Sequence, residues 1–270
     1  MAKRMLRILL IAGAAYLLGL LALYLAQRRL VYLPTALSPD EIWNPGFPAE
    51  IVTFPSADGV KISGLFAEPP DAEGPVMLIF HGNAGNIRSW ATQLGLYQSR
   101  GFGGLLVDPR GYGLSEGSPS EEGCIADGEA ALAWLEARGI GPGRVVVHGI
   151  SIGTGVAVPV AARHPLRGLI LESPFTTLPA VAQRVFFFVP CGLLLKDQYD
   201  NLKHASSIAS PALVIHGSRD RTIPIGIGRE LAEALPDLRT MAVAEGYGHN
   251  GLSSWPRYWP HVEEFLRSLR

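Results

Sequence analysis

The most restrictive feature of the chain is a five-residue turn, Gly149-Ile150-Ser151-Ile152-Gly153. It stands between a β-branched apolar run at 144–148 and an Ala/Val-rich helical stretch that ends near Ala162. A serine in a sharp strand-to-helix turn holds a strained backbone, and glycines two residues before and after it remove side chains that would strike neighbouring backbone. The turn lifts the hydroxyl above the sheet and aims a helix N-terminus at the same point. Gly-x-Ser-x-Gly alone recurs by chance. With a strand before it, a helix after it and a histidine far downstream, it predicts an α/β fold with Ser151 at the carboxyl end of a strand.

The chain after Pro34 fits that frame. Short β-branched runs alternate with Gly/Pro turns and longer helical patterns, as in a mainly parallel sheet. Residues 51–54 and 61–67, joined through Ala57-Asp58-Gly59, read as an opening hairpin because Asp-Gly suits the turn. Further strands are expected at 76–80, 105–108, 144–148, 168–171, 212–216 and 239–244. Ser118-Pro119-Ser120-Glu121 reads as a helix start, with Ser118 as cap, Pro119 in first position and Glu121 closing a capping box. That helix covers 126–138 and stops at Gly139.

Three predicted strands end in the same dipeptide: His81-Gly82, His148-Gly149 and His216-Gly217. These histidines read as structural, each satisfying loop backbone groups through a ring nitrogen. A serine hydroxyl attacks well only when a base takes its proton and an acid orients that base, in the chain order Ser, acid, His for this kind of turn. His249 is the candidate base, in the glycine-rich Gly246-Tyr247-Gly248-His249-Asn250-Gly251 after the last predicted strand. His164 and His261 fall in or beside helices. Asp220, four residues past the strand at 212–216, is the candidate acid, with Glu172, Asp197 and Asp200 as rivals; ion pairing with Arg219 and Arg221 is its purely structural alternative. The oxyanion formed on attack needs backbone donors. Ile152 N–H is one, and Asn83 N–H, in the small-residue loop His81-Gly82-Asn83-Ala84-Gly85-Asn86, is the other. Neither phosphate-cradling glycine motif is present there.

The N-terminus differs from the rest. Residues 1–34 carry Lys3, Arg4, Arg7, Arg28 and Arg29 and no acid, leaving 18 basic against 24 acidic side chains elsewhere, so a basic nucleic-acid groove is disfavoured. Residues 8–27 are almost wholly apolar, and about 20 residues at ~1.5 Å each span a bilayer core. This predicts an uncleaved membrane anchor over 1–34 and a catalytic domain over 35–270. Of the two competing readings, a buried helix and a cleaved signal peptide, the second lacks a small-x-small site, since Ala26 is preceded two residues earlier by Tyr24. Lys3, Arg4, Arg7 and the amino terminus slightly outnumber Arg28 and Arg29, favouring a cytoplasmic N-terminus with the body on the opposite side. Cys124 and Cys191 have no partners at metal-ligand spacing, and two cysteines make no disulfide scaffold.

Between Glu172 and Pro211 the chain is longer than a crossover requires and contains Val185-Phe186-Phe187-Phe188-Val189-Pro190 and Leu193-Leu194-Leu195. A cap insertion over about 174–210 is expected, either packed on the core, lining an acyl pocket or dipping into a membrane interface. Tyr112, Phe186, Phe187 and Leu194 are the candidate pocket residues.

Taken together, Phe80-His81-Gly82-Asn83-Ala84-Gly85-Asn86, Asp108-Pro109-Arg110-Gly111-Tyr112-Gly113-Leu114-Ser115, Gly149-Ile150-Ser151-Ile152-Gly153, His216-Gly217-Ser218-Arg219-Asp220 and Gly248-His249 resemble the α/β-hydrolase superfamily. Within it the chain is similar to single-pass membrane-anchored serine hydrolases, over about 50–265. The resemblance implies a twisted, mainly parallel sheet with helices on both faces and a small cap. It also implies Ser151 as nucleophile, His249 as base, Asp220 as its partner, no metal or organic cofactor, and hydrolysis of esters, thioesters or occasionally amides. Pro109 departs from the subgroup, which often has an aromatic residue there. The resulting expectation is an anchored serine hydrolase acting through an acyl-enzyme on a small-molecule or lipid-like acyl substrate. A peptidase or acyltransferase of the same fold, or a catalytically silent lipid- or partner-binding protein, is the alternative.

Overall fold

The structure, a computed structural model, describes residues 1–38 and 43–269. The chain opens with helix α1 (Ala2–Val31) and a short strand β1 (Leu33–Pro34), then the hairpin β2 (Glu50–Pro55) and β3 (Lys61–Ala67). There follow β4 (Val76–Phe80), β5 (Ala84–Gly85), α2 (Ile87–Gln98), β6 (Gly103–Asp108), α3 (Glu121–Glu136), β7 (Val145–Ile150) and α4 (Thr154–Arg163). The second half contains β8 (Gly168–Glu172), α5 (Leu178–Val185), α6 (Cys191–Leu194), α7 (Asn201–Ala205), β9 (Ala212–Gly217), α8 (Ile225–Glu233), β10 (Leu238–Ala244) and α9 (Tyr258–Ser268).

Eight strands form one sheet in the order β10-β9-β8-β7-β4-β6-β3-β2, parallel except for the antiparallel pairs β2–β3 and β3–β6. All eight expected strands are present, with ends moved by no more than two residues. The central strands are buried on both faces, so their side chains divide by parity. Val76, Leu78 and Phe80 of β4 face a core covered by α3, α4 and α8, while Met77 and Ile79 face one covered by α2 and α9. Burying each such side chain is worth about 1.5–3 kcal/mol. The Asp58-Gly59 turn has Gly59 at φ 83, and Ser56 and Val60 close the hairpin.

One local expectation is corrected. Helix α3 starts at Glu121, and its cap is Ser120, whose Oγ accepts from Gly123 N at 3.2 Å. Ser118 does not cap, and Glu121 closes no capping box. The Glu121 carboxylate instead accepts from Gln198 N at 2.6 Å, tying α3 to the insertion between β8 and β9 that holds α5, α6 and α7. At the far end Gly139, at φ 80, stops the helix as expected.

Helix α1 is long and apolar enough to cross a membrane by length and composition. Its C-terminal part does not stand apart from the body, because Gln27 and Tyr32 are buried against it. Cys124 and Cys191 are both buried and free.

Candidate active site

Ser151 occupies the turn between β7 and α4 with φ 52, in the left-handed region that non-glycine residues avoid. The flanking glycines explain how the turn closes. A Cβ on Gly149 would lie 2.6 Å from that of Ala157, and one on Gly153 would overlap the Phe80 carbonyl oxygen. Thr154 Oγ1 donates to the Ser151 carbonyl at 2.7 Å and fixes the first turn of the helix.

The carboxyl ends of β9 and β10 supply the other two groups. Gly217, where a Cβ would overlap the Gly248 carbonyl, lets the two loops touch. Arg219 N donates to the Tyr247 carbonyl at 2.8 Å and Gly246 N to Ser218 Oγ at 2.9 Å. This lacing brings His249 Nδ1 to 2.7 Å from Asp220 Oδ2, and His249 Nε2 to 2.9 Å from Ser151 Oγ. Burial penalises the Asp220 charge, but hydrogen bonds from His216, His249 and the Ile223 N–H outweigh it and hold the carboxyl well below the usual carboxylate range. An ionised carboxylate only accepts, so Nδ1 of His249 carries the ring proton and Nε2 is left to accept from the serine hydroxyl.

The rival acids have other partners, although Glu172 borders the same cavity. Glu172 accepts from Tyr258 Oη at 2.7 Å, Asp197 pairs with Arg28 at 3.0 Å, and Asp200 caps α7 by accepting from Lys203 N at 3.1 Å. The strand-end histidines also have local partners. His81 meets the Gly82 carbonyl and Asp108, His148 meets Tyr97 Oη, and His216 donates to the Ile223 carbonyl. His164 contacts Glu129, and His261 stacks on Trp255.

A cavity of about 660 Å³ opens over Ser151 and His249, within the ~300–1,000 Å³ range of small-molecule sites. Ile152 and Asn83 both line it beside the serine, as do Phe186 and Leu194 from the insertion. Two of the candidate pocket residues lie elsewhere. Phe187 is 80% exposed and points away from the cavity, because the chain turns after α5 and carries it outward. Tyr112 is buried behind the His81–Asn83 loop, where its hydroxyl donates to the Asn83 carbonyl at 2.8 Å; it positions that loop and does not line the cavity.

Sequence reasoning missed what else holds Asn83. Immediately after α1, β1 pairs in parallel with β5, Leu33 opposite Ala84 and Pro34 opposite Gly85, and Leu33 N donates to Asn83 Oδ1 at 3.2 Å. Asn86 Nδ2 donates to the Thr35 carbonyl at 3.0 Å. A two-residue strand has no periodicity to detect, so no local signal marked it. Among the described residues no group of three or more His, Cys, Asp or Glu side chains forms a metal site.

A parallel sheet covered on both faces, with a serine, a histidine and an aspartate meeting over the carboxyl ends of its strands, defines a hydrolase-type scaffold. The sequence pattern of the family described as alpha/beta hydrolase fold matches residues 75–190. An uncharacterized protein of Mycobacterium tuberculosis (strain ATCC 25618 / H37Rv) is 36% identical over 228 residues, covering 83% of this chain and 80% of the relative. The human alpha/beta hydrolase domain-containing protein 17B is 32% identical over 213 residues, covering 78% and 73%. The chain belongs to the α/β-hydrolase family. Among solved structures, the Pyrococcus furiosus esterase Pf2001 superposes with a TM-score of 0.70 at 21% identity, covering 88% of this chain and 97% of the esterase. The esterase RhEst1 from Rhodococcus sp. ECU1013 gives 0.63 at 20%, covering 82% and 99%. At that identity the likeness concerns the fold.

Proposed function

We propose that the protein is a membrane-anchored serine hydrolase that cleaves a carboxylic ester or thioester of an acyl, lipid-like substrate through an acyl-enzyme. The observation that carries this reading is the hydrogen-bonded line Ser151 Oγ, His249 Nε2, His249 Nδ1, Asp220 Oδ2, with links of 2.9 and 2.7 Å, opening into one cavity.

In this mechanism Ser151 Oγ attacks the carbonyl carbon while its proton passes to His249 Nε2, and Asp220 stabilises the imidazolium. The backbone N–H groups of Ile152 and Asn83 receive the oxyanion. Collapse breaks the bond to the leaving oxygen or sulfur, which takes the proton from His249. A water then repeats the sequence on the acyl-serine, releasing a carboxylic acid and regenerating Ser151.

The anchor reading of α1, with a span over about 8–27 and a catalytic domain over 35–270, is favoured over a signal cleaved after Ala26 because residues ahead of that point meet the body: Tyr16 Oη donates to the Phe188 carbonyl, and Leu23 and Tyr24 line the cavity. Removing the helix would leave those partners bare. The flanking charges favour a cytoplasmic N-terminus with the body on the opposite, extracytoplasmic side.

The test is turnover of p-nitrophenyl esters and acyl thioesters by the wild type and by Ser151→Ala. The variant should lose several decades in kcat. Equal turnover by both proteins would move the chemistry to another residue.

A further inference from the structure

One wall of the cavity over Ser151 comes from the apolar helix itself. Leu23, Leu30 and Val31 of α1 line it together with Leu178, Val181 and Phe186 of the insertion. Polar contacts fasten the helix there. Tyr16 Oη donates to the Phe188 carbonyl at 2.7 Å. Gln27 donates to the Leu194 carbonyl at 3.1 Å and accepts from Lys196 N at 2.6 Å. Arg28 pairs with Asp197 at 3.0 Å, and the Tyr32 and Tyr199 hydroxyls meet at 3.0 Å.

The insertion therefore runs along the helix from Tyr16 to Arg28, about 18 Å at ~1.5 Å per residue. Much of that length falls in the stretch assigned to the hydrocarbon layer. Around Phe188, at the Tyr16 end, the insertion presents Val185, Phe187 and Phe188, each more than half exposed. Such a tip beside a membrane span leaves water only by entering the acyl layer.

We propose that α1 is a substrate-binding element as well as an anchor. On this reading the cavity is loaded sideways from the bilayer with the long acyl chain of a membrane-resident lipid ester, which lies between α1 and the insertion. Leu23 sets the acyl length that fits. The inference rests on the ester-hydrolase reading above and specifies where its substrate enters. A chain passing from lipid into this cavity crosses no water, and lipid tails are as apolar as the side chains they would meet. Selection must then come from fit against the walls more than from transfer out of water.

The test uses the full-length protein reconstituted in phosphatidylcholine vesicles, with p-nitrophenyl acetate, octanoate and palmitate as probes. Leu23→Trp fills the α1 wall and should lower the palmitate-to-acetate ratio of kcat/KM at least tenfold; Leu23→Ala should shift it the other way. Leu25→Trp, at a position 70% exposed and about 200° around the helix from Leu23, should leave the ratio at the wild-type value. Opposite shifts from two substitutions at one site are not produced by general destabilisation. Labelling by a short-chain fluorophosphonate shows that each variant is folded, and if Leu23→Trp fails that check, Leu23→Ala decides. An unchanged ratio at position 23, or an equal fall in Leu25→Trp, overturns the proposal and leaves the hydrolase reading standing. No turnover of any ester by the wild type overturns both.

Discussion

Oδ2 of Asp220 lies 2.7 Å from Nδ1 of His249, although 29 residues separate them, and this contact sets the tautomer of the imidazole that faces Ser151. A buried carboxylate that accepts from one ring nitrogen leaves the other free to take a proton. Replacing the carboxylate by an amide removes that constraint without removing the volume.

Asp220→Asn should therefore keep the fold and lower kcat by roughly 10⁴, the scale of a wrong-tautomer triad. Glu172→Gln, whose parent carboxylate is held by Tyr258, should reduce kcat far less. Measuring both on one ester separates the two acids; a severe loss in Glu172→Gln with a mild one in Asp220→Asn would reverse the assignment.

The same carboxylate carries a pH signature. Its folded pKa is depressed below the ordinary value of about 3.9, so the unfolded chain takes up its proton first as pH falls. The stability it contributes is fully present above about pH 5 and is lost progressively as pH drops through the folded value. The Tm difference between wild type and Asp220→Asn should thus be largest near neutrality and shrink toward pH 3. A difference that grew on acidification would contradict the sign.

Gly217 tests the lacing of the two loops. A Cβ there would overlap the Gly248 carbonyl, which is backbone and cannot swing aside. Gly217→Ala should cost about 1–3 kcal/mol of stability, as overpacking does, and should also lower kcat by parting Asp220 from His249. Thermal melting read beside ester turnover checks both, and a variant matching the wild type in each would show that the loops do not depend on this contact.

Much of this arrangement was legible in the sequence for a simple reason. Glycines at the close approaches, Gly149, Gly153 and Gly217, leave a one-letter mark where backbone meets backbone, and the buried strands leave uninterrupted apolar runs. What stayed hidden depends on where a segment is carried in three dimensions. Tyr112 reads as a pocket aromatic, yet its hydroxyl supports Asn83 from behind. Phe187 shares its composition with Phe186, but the turn after α5 sends one outward and leaves the other at the cavity. The apolar run 8–27 predicts a helix and says nothing about which of its faces meets the body.

That last point changes what truncation should do. Full-length protein should resist carbonate extraction from membranes, and a chain beginning at Thr35 should be released. The shortened chain loses Leu33 N from Asn83 and the pairing of β1 with β5. It should therefore show a lower Tm and lower kcat/KM even toward acetyl esters. Activity equal to that of the full chain would mean that the Asn83 loop needs no support from the helix end.

The central claim, that Ser151 is the nucleophile activated by His249 and Asp220, is tested most directly by covalent capture. Full-length protein treated with a fluorophosphonate and digested should yield one modified peptide, with the phosphonyl group on Ser151, and Ser151→Ala should yield none. An adduct on another residue, or labelling of Ser151→Ala at wild-type strength, would contradict the account.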